Sequence, residues 1–198
     1  GHSGLVLCVA FSPDGNLVAT GSDDYTVRLW DMRLRRPIAT LLGHDNSVSR
    51  LAFHPQATHL ASGDNAGTCR IWDLTRTRAR VLRAHQSFVY DIAIGATQQL
   101  VASASWDNTV RVWNSRSGRL QSTFSIDGEE LLSVAISRDE KLVAGASRNG
   151  RLRVWDVATG MVRKGFKLSE TDDKTGTPAY YADNFGLAFC PSDQHLAG

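Results

Sequence analysis

Histidine, cysteine and paired carboxylates are the raw material of acid–base, nucleophilic and metal chemistry, and this chain spaces them as none of those sites requires. Its six histidines, His2, His44, His54, His59, His85 and His195, have no cysteine or carboxylate at zinc-like intervals. Cys8, Cys69 and Cys190 are far apart and odd in number, so neither a thiol ligand set nor a disulfide framework is visible. The pairs Asp23-Asp24 and Glu129-Glu130 fall in turn-like sequence, where solvated carboxylates are the default. There is no Gly-rich phosphate loop with Lys and no nucleophile elbow. The expectation is a non-enzymatic segment with no catalytic residue, no metal, no cofactor and no small-molecule substrate.

Residues suited to recognition are more concentrated. Phe88 and Tyr90 are two apart and so share one side of a strand, and Trp106 precedes Asp107 in a neighbouring turn. Trp106 is the one tryptophan that stands outside the periodic positions described below, and Asp23, Asn65 and Arg148 occupy its equivalents. Packing therefore does not require an aromatic there, and clustered aromatics are the usual centre of a binding hot spot. Arginine supplies 18 of the 22 basic residues. It gathers as Arg33, Arg35 and Arg36, then Arg76, Arg78 and Arg80, then Arg116 and Arg119. Such clusters suit an acidic protein or a phosphate backbone, although no aromatics interleave them as single-stranded nucleic acid would favour. The formal net charge of +2 is too small to argue for nucleic acid or a membrane surface by itself.

The elements that position these residues recur. Trp30-Asp31, Trp72-Asp73, Trp113-Asn114 and Trp155-Asp156 are separated by 42, 41 and 42 residues. A period of about 40–45 residues marks an array of four-stranded sheets. In the first repeat Val6–Phe11 alternates, Ser12-Pro13-Asp14-Gly15 turns, and Leu17–Ser22 runs on. Asp23-Asp24 turns again, and residues 26–30 and 38–42 complete four strands. No segment has a convincing 3.6-residue apolar period, so the fold class is all-β.

The string "GHSGLVLCVAFSPDGNLVATGSDDYTVRLWD" resembles the WD-repeat consensus over its whole length. The resemblance implies a β-propeller of four-stranded antiparallel blades over residues 1–42, 43–83, 84–125 and 126–168. A fifth blade would begin at 184–198, after an inserted loop at 169–183 carrying Tyr180 and Tyr181. That insertion follows from the offset of 178 residues between Phe11 and Phe189, where four periods of 42 give 168. Four blades and part of a fifth close no ring, so the expectation is a fragment of a longer propeller, seven-bladed by resemblance. Residue 1 already lies inside a repeat, so the expectation is that the natural N-terminus lies further upstream, and targeting cannot be read from this sequence.

The family also implies a hydrogen-bonded tetrad in each blade. Carried over position by position, it is His2, Thr20, Asp24 and Trp30 in the first blade and His85, Ser103, Asp107 and Trp113 in the third. The second blade keeps His44, Ser62 and Trp72 with Ala66 at the Asp position, and the fourth has Asp127, Gly145 and Asn149 around Trp155. Those two blades are expected to be less rigid. "WDMR" at 30–33 resembles the WDxR box of cullin-4 ubiquitin-ligase substrate receptors, with "WNSR" at 113–116 as a weaker copy, so Arg33 and Arg116 join Phe88, Tyr90 and Trp106 as partner-binding candidates. The function expected is a protein–protein interaction scaffold for protein or peptide partners. The alternatives are the ligase receptor and an RNA- or chromatin-associated propeller using its Arg-rich turns. No apolar run approaches the roughly 18–20 residues that cross a bilayer, so no membrane is expected. The unpaired thiols point to an intracellular setting, cytoplasmic or nuclear.

Overall fold

The structure is a computed structural model and describes residues 1–76, 78–83, 85–97, 99–167, 187–189 and 196–197. Every regular element among them is a strand. The first sheet is β1 (Val6–Phe11), β2 (Leu17–Ser22), β3 (Val27–Asp31) and β4 (Arg36–Leu41). The second is β5 (Val48–Phe53), β6 (His59–Asp64), β7 (Thr68–Asp73) and β8 (Arg78–Arg83). The third is β9 (Val89–Ile94), β10 (Leu100–Ser105), β11 (Thr109–Asn114) and β12 (Leu120–Ser125). The fourth is β13 (Leu131–Ile136), β14 (Leu142–Ser147), β15 (Arg151–Asp156) and β16 (Val162–Lys167). Each is an antiparallel meander in chain order, a propeller blade with strands a to d. A two-stranded pair, β17 (Ala188–Phe189) with β18 (Leu196–Ala197), follows. The expected insertion at 169–183, with Tyr180 and Tyr181, lies outside the described residues, as does most of the expected fifth repeat.

Strand ends depart slightly from the sequence reading. In the first blade strand c starts at Val27, because the Thr26 amide donates to Asp24 Oδ1 at 3.1 Å and is held in the turn. Strand d starts at Arg36 and includes Pro37, opposite Trp30. Proline is tolerated there because d is the outer strand of the blade and needs no donor on its open side. The residue after each periodic tryptophan has its own task. Asp31 Oδ1 accepts the amides of Arg33 and Leu34 at 2.8 and 2.7 Å, and so forms the c–d turn. Asp73 and Asp156 do the same in their blades, and Asn114 Oδ1 substitutes by accepting the Ser117 amide at 2.8 Å.

The core lies between blades. Trp72 packs with Ala19, Val27 and Leu29 of the preceding blade, Trp113 with Ala61, Cys69 and Ile71, and Trp155 with Ala102, Val110 and Val112. Burying roughly 150–250 Å² of indole at about 25 cal/mol per Å² favours each junction by about 4–6 kcal/mol before entropy is counted. Leu187 and Phe189 cover Ala144, Leu152 and Val154 of the fourth blade. The opposite face of the first blade, the one not covered by Trp72, is exposed: Phe11 is 64% accessible and Trp30 is only half-buried. Strand a of each blade packs against strand a of the next, from β1 through β5 and β9 to β13.

Candidate functional site

The d–a loop and the b–c turn of each blade meet on one face, and the first three blades lock them with a single chain of hydrogen bonds. In the third, the Trp113 indole N–H donates to Ser103 Oγ at 3.0 Å, Ser103 Oγ is 2.7 Å from His85 Nε2, and His85 Nδ1 is 2.8 Å from Asp107 Oδ2. The first blade repeats this with Trp30, Thr20, His2 and Asp24 at 2.8, 2.7 and 2.9 Å. The arrangement has no leftover donor when serine donates to Nε2 and Nδ1–H donates to the carboxylate, so each hydrogen bond polarises the next. Ser, His and Asp in this order also make a nucleophilic triad. Here Ser103 and Ser62 are completely buried and already accept from an indole, so neither hydroxyl can meet a substrate.

The second blade corrects the sequence reading. Ala66 does leave the usual position without a carboxylate, but Asp64, two residues earlier at the end of strand b, fills the same space. Its Oδ2 is 2.7 Å from His44 Nδ1, and its Oδ1 accepts the amides of Ala66 and Thr68 at 3.0 and 2.8 Å. The chain continues through Ser62 at 2.6 Å to Trp72 at 2.8 Å. The second blade therefore has a complete tetrad, and its expected looseness is withdrawn. The signal was present in the sequence: Ser22 and Ser105 stand where Asp64 does, so a carboxylate at that place marks a shifted tetrad.

The fourth blade replaces the tetrad with other contacts. Gly145 has no hydroxyl to offer, and a Cβ there would lie 3.1 Å from Trp155. Trp155 instead stacks on Phe124 with centroids 5.1 Å apart and an interplanar angle of 12°. Asp127 pairs with Arg151 and Arg153 at 2.5 and 2.8 Å, and Glu129 accepts the Ser147 hydroxyl.

Burial alone would raise the Asp107 pKa, but hydrogen bonds from His85, Thr109 and the Gln86 amide outweigh it and hold the carboxyl well below the usual range. Asp24 is likewise held low, by Thr26, the Ser3 amide and His2 against its burial. A depressed folded pKa stabilises the ionised form. The contribution is therefore complete above the ordinary carboxylate value of about 4 and is lost as pH falls from there towards the folded value. Urea titrations of wild type and Asp107→Asn should show a stability difference that is constant from pH 7 to 5 and shrinks by pH 3. A difference independent of pH contradicts this electrostatic reading.

Above the third tetrad the three aromatics are in contact. Trp106 meets Phe88 edge-to-face at 5.2 Å and 69° and stacks on Tyr90 at 5.8 Å and 14°. The Arg50 guanidinium of the second blade lies 4.5 Å from the centre of the Tyr90 ring. Phe88 is 40% exposed, and Trp106 is half-buried with its indole N–H enclosed and without a hydrogen-bond partner among the described residues. Beside Tyr90, Asp91 ties the third blade to the fourth through Ser133 Oγ at 2.8 Å and the Val134 amide at 2.9 Å. Burial raises its pKa despite those bonds.

Arg33 and Arg116 project from c–d turns at the other end of the blades, and both are exposed. The structure does not bring them together with the aromatics. Burial pushes the Cys8 and Cys69 thiols up to about 12, far from the reactive thiolate range. Among the described residues no group of three His, Cys, Asp or Glu is placed to hold a metal ion, and no helix is long and apolar enough to cross a membrane.

Comparison with known proteins bears on the whole array. A family model described as WD domain, G-beta repeat matches residues 1–31, 35–73, 76–114 and 118–156. Nuclear distribution protein nudF of Aspergillus flavus is 30% identical over 121 residues, covering 59% of this chain and 27% of the relative. Protein HIR1 of Mycosarcoma maydis is 28% identical over 142 residues, 63% of this chain and 14% of the relative. Notchless protein homolog of Arabidopsis thaliana is 58% identical over 40 residues, 20% of this chain and 8% of the relative. The chain thus spans about a quarter of the length of the Aspergillus protein and less of the other two.

Proposed function

The chain belongs to the WD domain, G-beta repeat family, and from that premise we propose that it is a protein-interaction scaffold whose contact centre is the cluster of Phe88, Tyr90 and Trp106. The observation that carries the reading is Trp106 itself. The repeat accepts Asp23, Asn65 or Arg148 at its position, and the indole leaves its own N–H unpaired among the described residues. An unpaired enclosed N–H costs about 1–3 kcal/mol, so stability is a poor reason for tryptophan here. Recognition is a better one, because a rigid, partly exposed indole set between two rings offers a large apolar contact at little entropic cost. The protein or peptide partner meets these rings on the loop face, while the blades keep the loops in place. The intracellular setting, cytoplasmic or nuclear, goes with this reading.

Affinity capture followed by mass spectrometry tests it. Trp106→Ala is expected to lower recovery of specific partners at least tenfold while the melting temperature changes by only a few degrees. Intact capture with a large loss of stability would retire the contact role. The same capture reads a narrower possibility carried by Arg33, which is exposed on a turn fixed by Asp31. Selective loss of a cullin-4 adaptor in Arg33→Ala would favour a ligase-receptor role. Capture that falls steeply with salt would favour the chromatin or RNA alternative, because phosphate contacts release counterions and aromatic burial does not.

A further inference from the structure

We infer that the groove between the second and third blades, at the end carrying the c–d turns, is a binding site for a phosphomonoester. A cavity of about 510 Å³ opens there. Arg76 and Arg80 reach it from the second blade and Arg116 from the third, with His59, Thr97 and Ser115 between them. The volume falls within the roughly 300–1,000 Å³ of small-ligand sites.

The repeat does not demand Arg76 or Arg80. Leu34, Ser117 and Thr159 follow their periodic tryptophans at the interval at which Arg76 follows Trp72. Ala39, Ser122 and, in the fourth blade, Lys164 pair with strand c where Arg80 does, so the position takes small and basic side chains alike. Nor are the three neutralised. Arg151, Arg153 and Arg163 each have a carboxylate within 3 Å, whereas none of Arg76, Arg80 and Arg116 has an ion-pair partner among the described residues. Asp73, the one acid among the described lining residues, is engaged by Thr75 and the Arg76 amide. Three guanidinium groups against one carboxylate leave the cavity cationic.

The chemistry selects the anion. A phosphomonoester carries a charge of about −1.5 to −2 and three acceptor oxygens, enough to engage several guanidinium forks at once, where a carboxylate offers one charge and two oxygens. The arginines converge on one cavity rather than forming a track, and among the described residues no Phe, Tyr or Trp lines it. That disfavours a nucleic-acid strand, which needs a continuous cationic path and bases stacked on rings. The site stands apart from the aromatic cluster and does not depend on that reading.

Titration followed by nuclear magnetic resonance tests the inference. The probes are acetyl-Gly-phosphoserine-Gly-amide, its glutamate counterpart, glycerol 3-phosphate and a 12-residue oligothymidylate. The two phosphomonoesters are expected to saturate the amide shifts of Thr97 and Ser115 and to bind at least tenfold more tightly than the glutamate peptide. Arg76→Gln/Arg116→Gln should weaken them at least tenfold, while Arg35→Gln/Arg36→Gln leaves them unchanged. Tighter binding of the peptide assigns a phosphorylated protein as the natural source, and tighter or equal binding of glycerol 3-phosphate assigns a small phosphorylated metabolite. The inference is overturned if the glutamate peptide binds equally well, if no probe saturates, or if the oligonucleotide binds most tightly and both double variants weaken it alike.

Discussion

Asp64→Ala is expected to destabilise the chain by about 3 kcal/mol, the upper end of what one buried, deprived polar group costs. The carboxylate and the His44 imidazole that it faces are both shut off from solvent. Its removal strands His44 Nδ1 and the amides of Ala66 and Thr68 together. Moving the carboxylate gives the sharper test. Asp64→Ser/Ala66→Asp rewrites the turn in the pattern of the third blade, where the Ser105 hydroxyl accepts the Asp107 amide at 3.1 Å and Asp107 faces the histidine. That double variant should regain stability to within about 1 kcal/mol of wild type, since the same donors again find acceptors. Asp107→Ala should cost about 1–3 kcal/mol, and Asn149→Ala, in the blade without a tetrad, clearly less. Denaturant melts in which the double variant is no better than Asp64→Ala would remove the shifted tetrad from the account.

The second large effect is expected at a junction between blades. Gly67 has φ +86°, and a Cβ placed there would lie 2.5 Å from the His85 carbonyl oxygen and 2.9 Å from that of Ser87. Backbone cannot yield as a side-chain tip can. The left-handed conformation alone costs a non-glycine residue about 1–2 kcal/mol. Overpacking adds a further penalty of about 1–3 kcal/mol. Gly67→Ala should therefore lose about 2–5 kcal/mol. Because the displaced loop leads directly into Phe88, the variant should also weaken partner capture, whereas Gly15→Ala, with φ +70° and open space around its Cβ, should lose only the conformational part and leave capture intact. A Gly67→Ala variant as stable as Gly15→Ala would show that the second blade does not support the third through this contact.

The periodic tryptophans, the turn residues and the alternation of Val6–Phe11 made the blades legible in the sequence, because each is a local property repeated four times. The carboxylate in the second blade was not legible by position alone. Asp64 and Asp24 sit at different points of their turns, and only side-chain reach brings both to a histidine nitrogen. Contact among Phe88, Tyr90 and Trp106 could be anticipated from strand period and turn adjacency, but Arg50 over Tyr90 could not, since it comes from another blade 40 positions earlier. The cationic groove had the same obstacle: Arg76 and Arg80 stand in one arginine cluster of the sequence and Arg116 in another, and only the packing of two blades gives them a shared cavity.

Hydrogen exchange at the indole N–H groups tests most directly whether hydrogen-bonded blades hold this surface rigid. The chain has five tryptophans, and a nitrogen-15 spectrum resolves their side-chain signals individually. The signals of Trp72 and Trp113 should persist in heavy water until the protein unfolds globally, and Asp64→Ala should release Trp72 while leaving Trp113 protected. Exchange of both as fast as an exposed indole, or their joint release by the one substitution, would contradict it.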